Sequence, residues 1–361
     1  MNNLSLLQQA PEKVLVLCPH PDDFDIAGVT LRHFQQNGSE IFIAVAPTSS
    51  GILDSFYGQK PTQQEQIETR LEEQRKSIEF FGLDSANVDF FPTDMDLDAN
   101  GEMAYSEANK ALIEKVILRT EPKALFIPHS NDPNPAHNAM YRIVVETIIE
   151  HDLKLFIYQQ KDPKTQGIKV NAYFPIDEKS ASWKRELLKF HQSQDHRNRE
   201  TRQIGFDDRI LDMNEAIAEE LELDCQWAEA FEVLHSNTWK YPVEVATEYT
   251  EEIFEPFIDL IPQLGPVVAP TKEHVKALIE AENSHLFLMR SAKTQKILAT
   301  ITVGTYMIPT GIKAWIEDVV IDDSCRGKGL GTTLMEAAHG YAEELGFASI
   351  NLTSTPTRIK S

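Results

Sequence analysis

Short apolar runs rich in β-formers recur along the first half of the chain: KVLVLC (13–18), EIFIAVA (40–46), VDFFP (88–92), ALFIP (124–128) and LKLFIYQQ (153–160). Between them lie longer amphipathic stretches, among them TQQEQIETRLEEQRKSIEFFG (62–82) and SEANKALIEKVILRTE (106–121). Apolar strands alternating with helices predict an α/β fold, a doubly wound, mostly parallel Rossmann-like sheet covered on both faces. Further helical pattern follows in SWKRELLKFHQSQ (182–194) and MNEAIAEELEL (213–223), and WAEAFEVL (227–234) closes the first domain. After HSNTWKYP the pattern restarts. VEVATE (243–248) reads as a strand, TEEIFEPFIDLIPQL (250–264) and EHVKALIEAE (273–282) as helices, and LFLMRS, KILATITVGTY and KAWIEDVVID as strands of an antiparallel meander. A helix beginning near Gly329 and a strand ASINLTS complete a smaller α/β domain with a mixed sheet. The expected domains are residues 1–238 and 239–361, with the boundary within about four residues of 240.

Composition narrows the class. The chain has 361 residues, 42% hydrophobic and 25% charged, which suits two domains with ordinary cores. No run approaches the roughly 18 apolar residues of a membrane span. The start, MNNLSLLQQAPEK, lacks a basic region followed by a long apolar stretch, so no signal peptide is expected. Three widely spaced cysteines, Cys18, Cys225 and Cys325, argue against a disulfide framework, and a cytoplasmic location follows as the expectation. A formal net charge of −22 disfavours nucleic-acid phosphates and anionic lipid as partners, and says little about small neutral substrates.

The first apolar strand leaves through CPHPDDFD, where an imidazole and two carboxylates stand within four positions. In open α/β sheets, ligands bind beyond the carboxyl ends of the strands. A second loop, PHSNDPNPAH (128–137), lies at the same edge after ALFIP and carries two further histidines. His20, Asp23 and His137 would make a two-histidine, one-carboxylate zinc site with its fourth position left for water. Bound zinc lowers the pKa of that water to about 7 and polarises a carbonyl. Asp22, beside a ligand but not needed as one, is then placed as general base. Pro19 and Pro21 would stiffen the loop. The competing reading is a turn with solvated aspartates.

PHPDD followed by NPAH, in a sheet of this order, resembles the PIG-L/LmbE family of zinc-dependent de-N-acetylases, which hydrolyse N-acetyl groups, commonly from N-acetylglucosamine conjugates. RLEEQRKSIEFFG (70–82) is similar to the family's R-x-x-E helix ending at glycine, HQSQ (191–194) to its Ser-Gln element, and AEAFEVL (228–234) to its closing segment, so the resemblance covers about residues 10 to 235. It implies His20, Asp23 and His137 as metal ligands, Asp22 as general base, and Arg70 at a position that meets the substrate's polar head. A surface charge on an amphipathic helix is the other reading of Arg70. Zinc is the implied metal, and the donor set also suits other divalent ions. Where the family often has H-P-D-H, this chain has Asn134-Pro135-Ala136-His137. Asn134 can donate a hydrogen bond to an oxyanion but cannot deliver a proton. His129 and Asp132 are the candidate substitutes, and His129 also reads as a histidine closing a strand end.

DLDANGEMAYSE (96–107) fits a calcium-loop pattern, with oxygens from Asp96, Asp98, Asn100 and Glu107 and a turn at Gly101. It follows a strand rather than a helix. An acidic loop before a helix capped by Ser106 is the alternative to Ca2+.

In the second domain, VVIDDSCRGKGLGTTLMEAA places Arg326, Gly327, Gly329 and Gly331 at a strand-to-helix junction, where exposed backbone N–H groups favour a pyrophosphate. The arrangement resembles the GNAT acetyltransferase superfamily over about 241 to 361. The resemblance implies an acetyl-CoA loop preceded by a strand through Val319 and Val320, with Glu317 as general base for an acceptor amine. Glu317 also reads as an outward-facing strand carboxylate. After INLTSTPTRIKS the family normally continues through another helix and strand. Without them the sheet keeps an exposed edge, an expected site of self-association. Three functions follow: a zinc amidase acting on a small N-acetylated amino sugar conjugate, an acyl-remodelling enzyme with two active domains, or a non-catalytic binding or regulatory protein.

Overall fold

The computed structural model describes residues 5–7, 9–347 and 349–352. The chain divides into two units, one of residues up to Ile148 with Leu153–His235, the other of Ile149–Asp152 with the residues from Ser236 on. Along the first run β1 (Ser5–Leu6), β2 (Lys13–Cys18), α1 (Asp23–Ile26), α2 (Gly28–Gln36), β3 (Glu40–Val45), α3 (Asp54–Tyr57), α4 (Gln63–Phe81), β4 (Val88–Phe90), α5 (Glu107–Thr120), β5 (Ala124–Pro128), α6 (Pro135–Glu150), β6 (Phe156–Gln160), β7 (Ala172–Ile176), α7 (Glu178–Leu188), α8 (Gln192–Arg202), α9 (Phe206–Glu220) and β8 (Trp227–His235).

The sheet order is β1-β7-β8-β6-β5-β2-β3-β4. β2 pairs in parallel with both β3 and β5. From β2 the chain builds outward one way through β3 and β4, then returns to build the other way through β5 and β6. The ends of β2 and β5 therefore flank the switch in winding where such sheets hold ligands. Strands with apolar side chains on both faces can sit only in a covered sheet, and Val14 to Cys18 are accordingly buried. Phe126 and Tyr158 stack with centroids 4.5 Å apart and meet Phe231 edge-on, locking neighbouring strands together.

Local signals set the helix limits. In α4, Thr62 accepts from the Glu65 backbone N–H while the Glu65 carboxylate accepts from the Thr62 backbone N–H, a reciprocal cap. Gly82 ends the helix in the left-handed region at φ 86°. Two features depart from the sequence expectation. β7 and β8 extend the sheet with antiparallel pairs, β8 lying between β6 and β7. The stretch 182–194, continuous in pattern, breaks into α7 and α8, because His191 leaves the helical path and buries its ring against Asp25.

The second unit contains α10 (Asn237–Lys240), β9 (Val243–Val245), α11 (Glu251–Leu260), α12 (Lys272–Glu280), β10 (Ser284–Arg290), β11 (Ile297–Ile308), β12 (Gly311–Ile321), α13 (Leu330–Glu344) and β13 (Ile350–Leu352). Its sheet order is β13-β12-β11-β10-β9, antiparallel except for β12 with β13. The sheet is mixed, with the predicted meander at its centre. Of the strand expected over 348–354, residues 348, 353 and 354 lie outside the described residues. No helix among the described residues is long and apolar enough to cross a membrane.

Candidate active site

The loop after β2 folds onto itself: the Asp23 carboxylate accepts from the His20 backbone N–H at 2.8 Å. The loop after β5 ends at Asn134, whose side-chain oxygen accepts from the Ala136 N–H at 2.8 Å and so caps α6, with Pro135 as its first residue. That cap sets His137 on the first turn of α6, facing the β2 loop. His20 Nδ1 and His137 Nε2 come to 3.0 Å, and Asp23 lies 3.5 Å from the first and 3.4 Å from the second. All three side chains are buried, and their donor atoms lie within 4.8 Å of one another. The structure thus brings together the three residues expected as ligands.

Each imidazole also has a carboxylate behind its other nitrogen. Glu102 Oε2 lies 2.5 Å from His20 Nε2. Asp132 Oδ1 lies 3.3 Å from His137 Nδ1, within ion-pair reach but off the hydrogen-bond line. Such carboxylate–histidine pairs fix the tautomer and aim the free nitrogen of a metal-binding histidine. Burial alone would lower the pKa of His20, but hydrogen bonds to Asp23 and Glu102 outweigh it and lift it to about 9. Burial likewise opposes protonation of His137, and the charges of Asp23 and Asp132 lift its pKa to about 10. Burial opposes ionisation of Asp23, yet the charge and hydrogen bond of His137 pull its pKa well below the usual carboxylate range. Facing imidazole nitrogens inside a ring of three carboxylates form a cluster that demands positive charge, and the donor set fits a divalent cation.

Asp22 lies beside this cluster with an unusual backbone (φ 158°, ψ −16°). Arg70, from α4, donates from Nη2 to Asp22 Oδ1 at 2.6 Å and to the Pro21 carbonyl at 3.0 Å. Arg70 is 2% exposed, which excludes the surface-charge reading, and its guanidinium holds the β2 loop as well as lining the cleft. One turn on, the Glu73 carboxylate accepts from the backbone N–H and hydroxyl of Ser193. The R-x-x-E and Ser-Gln segments thus clasp each other, since residues three apart share one helix face. Asp25, the third aspartate of the loop, is fully buried and accepts from Gln74 and Ser77 besides pairing with His191.

The cleft is lined by Asp22, Asp23, His20, His137, Arg70 and Asn134 among others. Asn134 lines the cleft with its amide nitrogen 3.4 Å from His20 Nε2. His129 is placed differently. Its Nδ1 accepts from the Asn131 N–H, its Nε2 pairs with Glu232 at 3.0 Å, and it is not among the cleft residues. The acidic loop at 96–107 forms a tight hairpin, with Leu97 bridging Met103. Asp98 accepts from the backbone of Asn100 and Glu102, and Asp96 from the Ser106 hydroxyl, so these oxygens serve the turn. The hairpin's outcome is delivery of Glu102 to His20. Sequence reasoning missed this residue, because its position in the calcium pattern uses only the backbone carbonyl and leaves the side chain without a role.

In the second unit, Glu317 is exposed on β12 opposite Thr302, beside a register shift. Val320 is buried, while Val319 packs partly buried against the core. Arg326 pairs with Asp323 at 2.7 Å. Gly327 and Gly329 take φ of 77° and 80°, conformations that favour glycine, and Gly329 caps α13. At Gly331 a Cβ would meet Ile321 at 3.3 Å, so the helix start lies close on the strand.

Residues 15–148 match the PIG-L family model, GlcNAc-PI de-N-acetylase, and residues 246–361 match the acetyltransferase (GNAT) family model. Among solved structures, N,N'-diacetylchitobiose deacetylase from Pyrococcus horikoshii is 18% identical, with 63% of this chain and 86% of that chain covered and a TM-score of 0.49. Teicoplanin deacetylase in its zinc-inhibited form is 12% identical, with 62% and 98% covered and a TM-score of 0.48. An aminoglycoside acetyltransferase from an uncultured soil metagenomic sample is 20% identical, with 34% and 83% covered and a TM-score of 0.31. Among curated proteins, none matches the chain.

Proposed function

We propose, for a chain that joins a PIG-L domain at residues 15–148 to a GNAT domain at 246–361, that the first domain is a metal-dependent hydrolase removing the N-acetyl group of an amino sugar conjugate. The observation that carries this reading is the convergence of His20, Asp23 and His137, each imidazole backed by a carboxylate, beside an aspartate held by a buried arginine. A divalent cation, zinc in the first instance, bound to those three residues would supply Lewis acidity to water and to the amide carbonyl.

The chain's own residues supply the rest. Arg70 fixes one oxygen of Asp22. The other oxygen is left to take a proton from the attacking water as its oxygen bonds to the carbonyl carbon. The side-chain oxygen of Asn134 accepts from the Ala136 N–H, and its amide nitrogen, beside His20 in the cleft lining, would donate to the carbonyl oxygen as negative charge develops there. Asp22 then returns the proton to the departing nitrogen as the C–N bond breaks, giving a primary amine and acetate. Asp22 thus takes over the proton delivery that Asn134 cannot perform. His129, with both nitrogens engaged, holds the loop after β5 in shape.

Asp22→Asn is expected to lower turnover about 10²- to 10⁴-fold, with the bound cation retained. Amine release and metal content measured on one preparation check this. Loss of both together would instead make Asp22 a ligand.

A second reading concerns the GNAT domain. Gly327 and Gly329 turn the chain at positive φ into α13, so that the first backbone N–H groups of that helix can meet a pyrophosphate. This turn favours acyl-CoA binding and an acyl-remodelling chain. Titration of the intact chain with acetyl-CoA should then give heat, and an absence of heat would remove the reading.

A further inference from the structure

The hydrolase cleft has a second pole that the reaction does not use. Arg197 on α8, Arg202 at its end and Arg209 in the first turns of α9 line the same cleft as the histidines. Among the described residues none of the three forms an ion pair. Their neighbours behave differently: Arg199 pairs with Asp195 at 2.7 Å, and Arg185 pairs with Asp208. Acids exceed bases by 56 to 34 in this chain, so arginines without carboxylates run against its composition. Burial, with repulsion from Arg202 and Arg70, holds Arg197 below the ordinary guanidinium value. Burial does the same at Arg209, where Arg202 and Arg197 add to it against the pull of Asp162. Arg197 and Arg209 are half-buried and Arg202 is exposed beside them. Like charges partly withdrawn from water without an ion-pair partner are unfavourable in the empty protein, and an anionic ligand offsets that cost.

The cleft is therefore bipolar. Asp22, Asp23, Glu102 and Asp132 surround the histidines, and the guanidiniums stand along α8 and α9. A neutral sugar needs no such cluster. Planar guanidinium groups match oxyanions in bidentate fashion. We infer that the amide substrate carries an oxyanion, a phosphoryl or carboxylate group, which Arg197, Arg202 and Arg209 bind while the N-acyl group lies at the histidine end. This rests on the hydrolase reading above and narrows its substrate class to anionic conjugates.

The test compares kcat/KM of the metal-loaded chain for N-acetylglucosamine 1-phosphate, N-acetylmuramic acid and the neutral methyl glycoside of N-acetylglucosamine. At least one anionic compound should exceed the neutral one by about 10- to 100-fold, and raised salt should shrink the gap. Preference for the phosphate or for the carboxylate names the group. In the Arg197→Ala/Arg209→Ala double variant the ratio should fall near unity, while Arg199→Ala keeps it. The double variant should fold, since it removes repelling charges, and a Gln pair at the same positions provides a second version. Neutral substrate turned over as well as the anionic ones overturns the inference and leaves the hydrolase standing. If no compound is turned over, the hydrolase reading fails for this panel and binding decides. Excess inorganic pyrophosphate should then raise the Tm of the wild type and not of the double variant. An equal shift in both, or none in the wild type, overturns the proposal.

Discussion

Replacing His137 by alanine should cut the bound divalent cation from about one per chain to roughly a tenth or less, with amide hydrolysis lost alongside it. In the proposed site His137 would supply one of three donors, and its Nε2 faces both His20 and Asp23. Two donors cannot hold the ion as three do. The substitution also leaves Asp23 and Asp132, both buried, without the imidazole between them. Glu102→Gln should have a milder effect, weakening the cation about 10- to 100-fold, because it only loosens the tautomer and aim of His20. Competition with a chromophoric chelator ranks the three proteins. Full metal content in His137→Ala would contradict the assignment of the ligands.

Lys184→Met should destabilise the first unit by about 3–5 kcal/mol, the effect of breaking a buried ion pair from one side. Lys184 is fully buried on α7 and donates to Glu229 Oε1 at 2.7 Å, to Asn214 and to the Ile26 carbonyl. Burial lowers its pKa, and the charge of Glu229 opposes that. Glu229, reaching from β8, also accepts from the N–H groups of Val29 and Thr30 and from the Thr30 hydroxyl. It thus caps α2, which has no side-chain cap of its own. Without Lys184, a carboxylate is left buried at the start of that helix. The Ile26 carbonyl ends α1, which carries Asp23, so hydrolysis should fall with stability. A urea melt of the first transition measures the loss. The double variant Lys184→Met/Glu229→Gln should recover part of it. A double variant no more stable than the single one would contradict the charge account.

Much of the layout is written locally. Runs such as KVLVLC are apolar on both faces and allow little except a central parallel strand, and α4 announces its limits through Thr62, Glu65 and Gly82. The loop residues His20, Asp23 and His137 were legible because strand ends at a switch in winding converge, whatever lies between them in sequence. β7 was hidden: AYFPI carries Pro175, a residue that argues against a strand, and its pairing with β8 depends on contacts with a distant segment. The break between α7 and α8 was equally silent, since its cause is the burial of His191 against Asp25 rather than a glycine or proline. Partners that act over long separations left no mark. Glu102 meets His20 across 82 positions, and Arg70 reaches Asp22 across 48. The segment QSQDHRNRETR reads as a solvated charged helix, and only the cleft distinguishes Arg197 and Arg202 from Arg199.

The most direct measurement is amine release by the metal-loaded wild-type chain from a panel of N-acetylated amino sugar conjugates, neutral and anionic, with acetate and bound cation measured in the same samples. The account predicts that at least one conjugate yields primary amine and acetate in equal amounts, with the cation held at the His20–Asp23–His137 cluster. A chain that binds about one cation and releases neither product from any conjugate would contradict it.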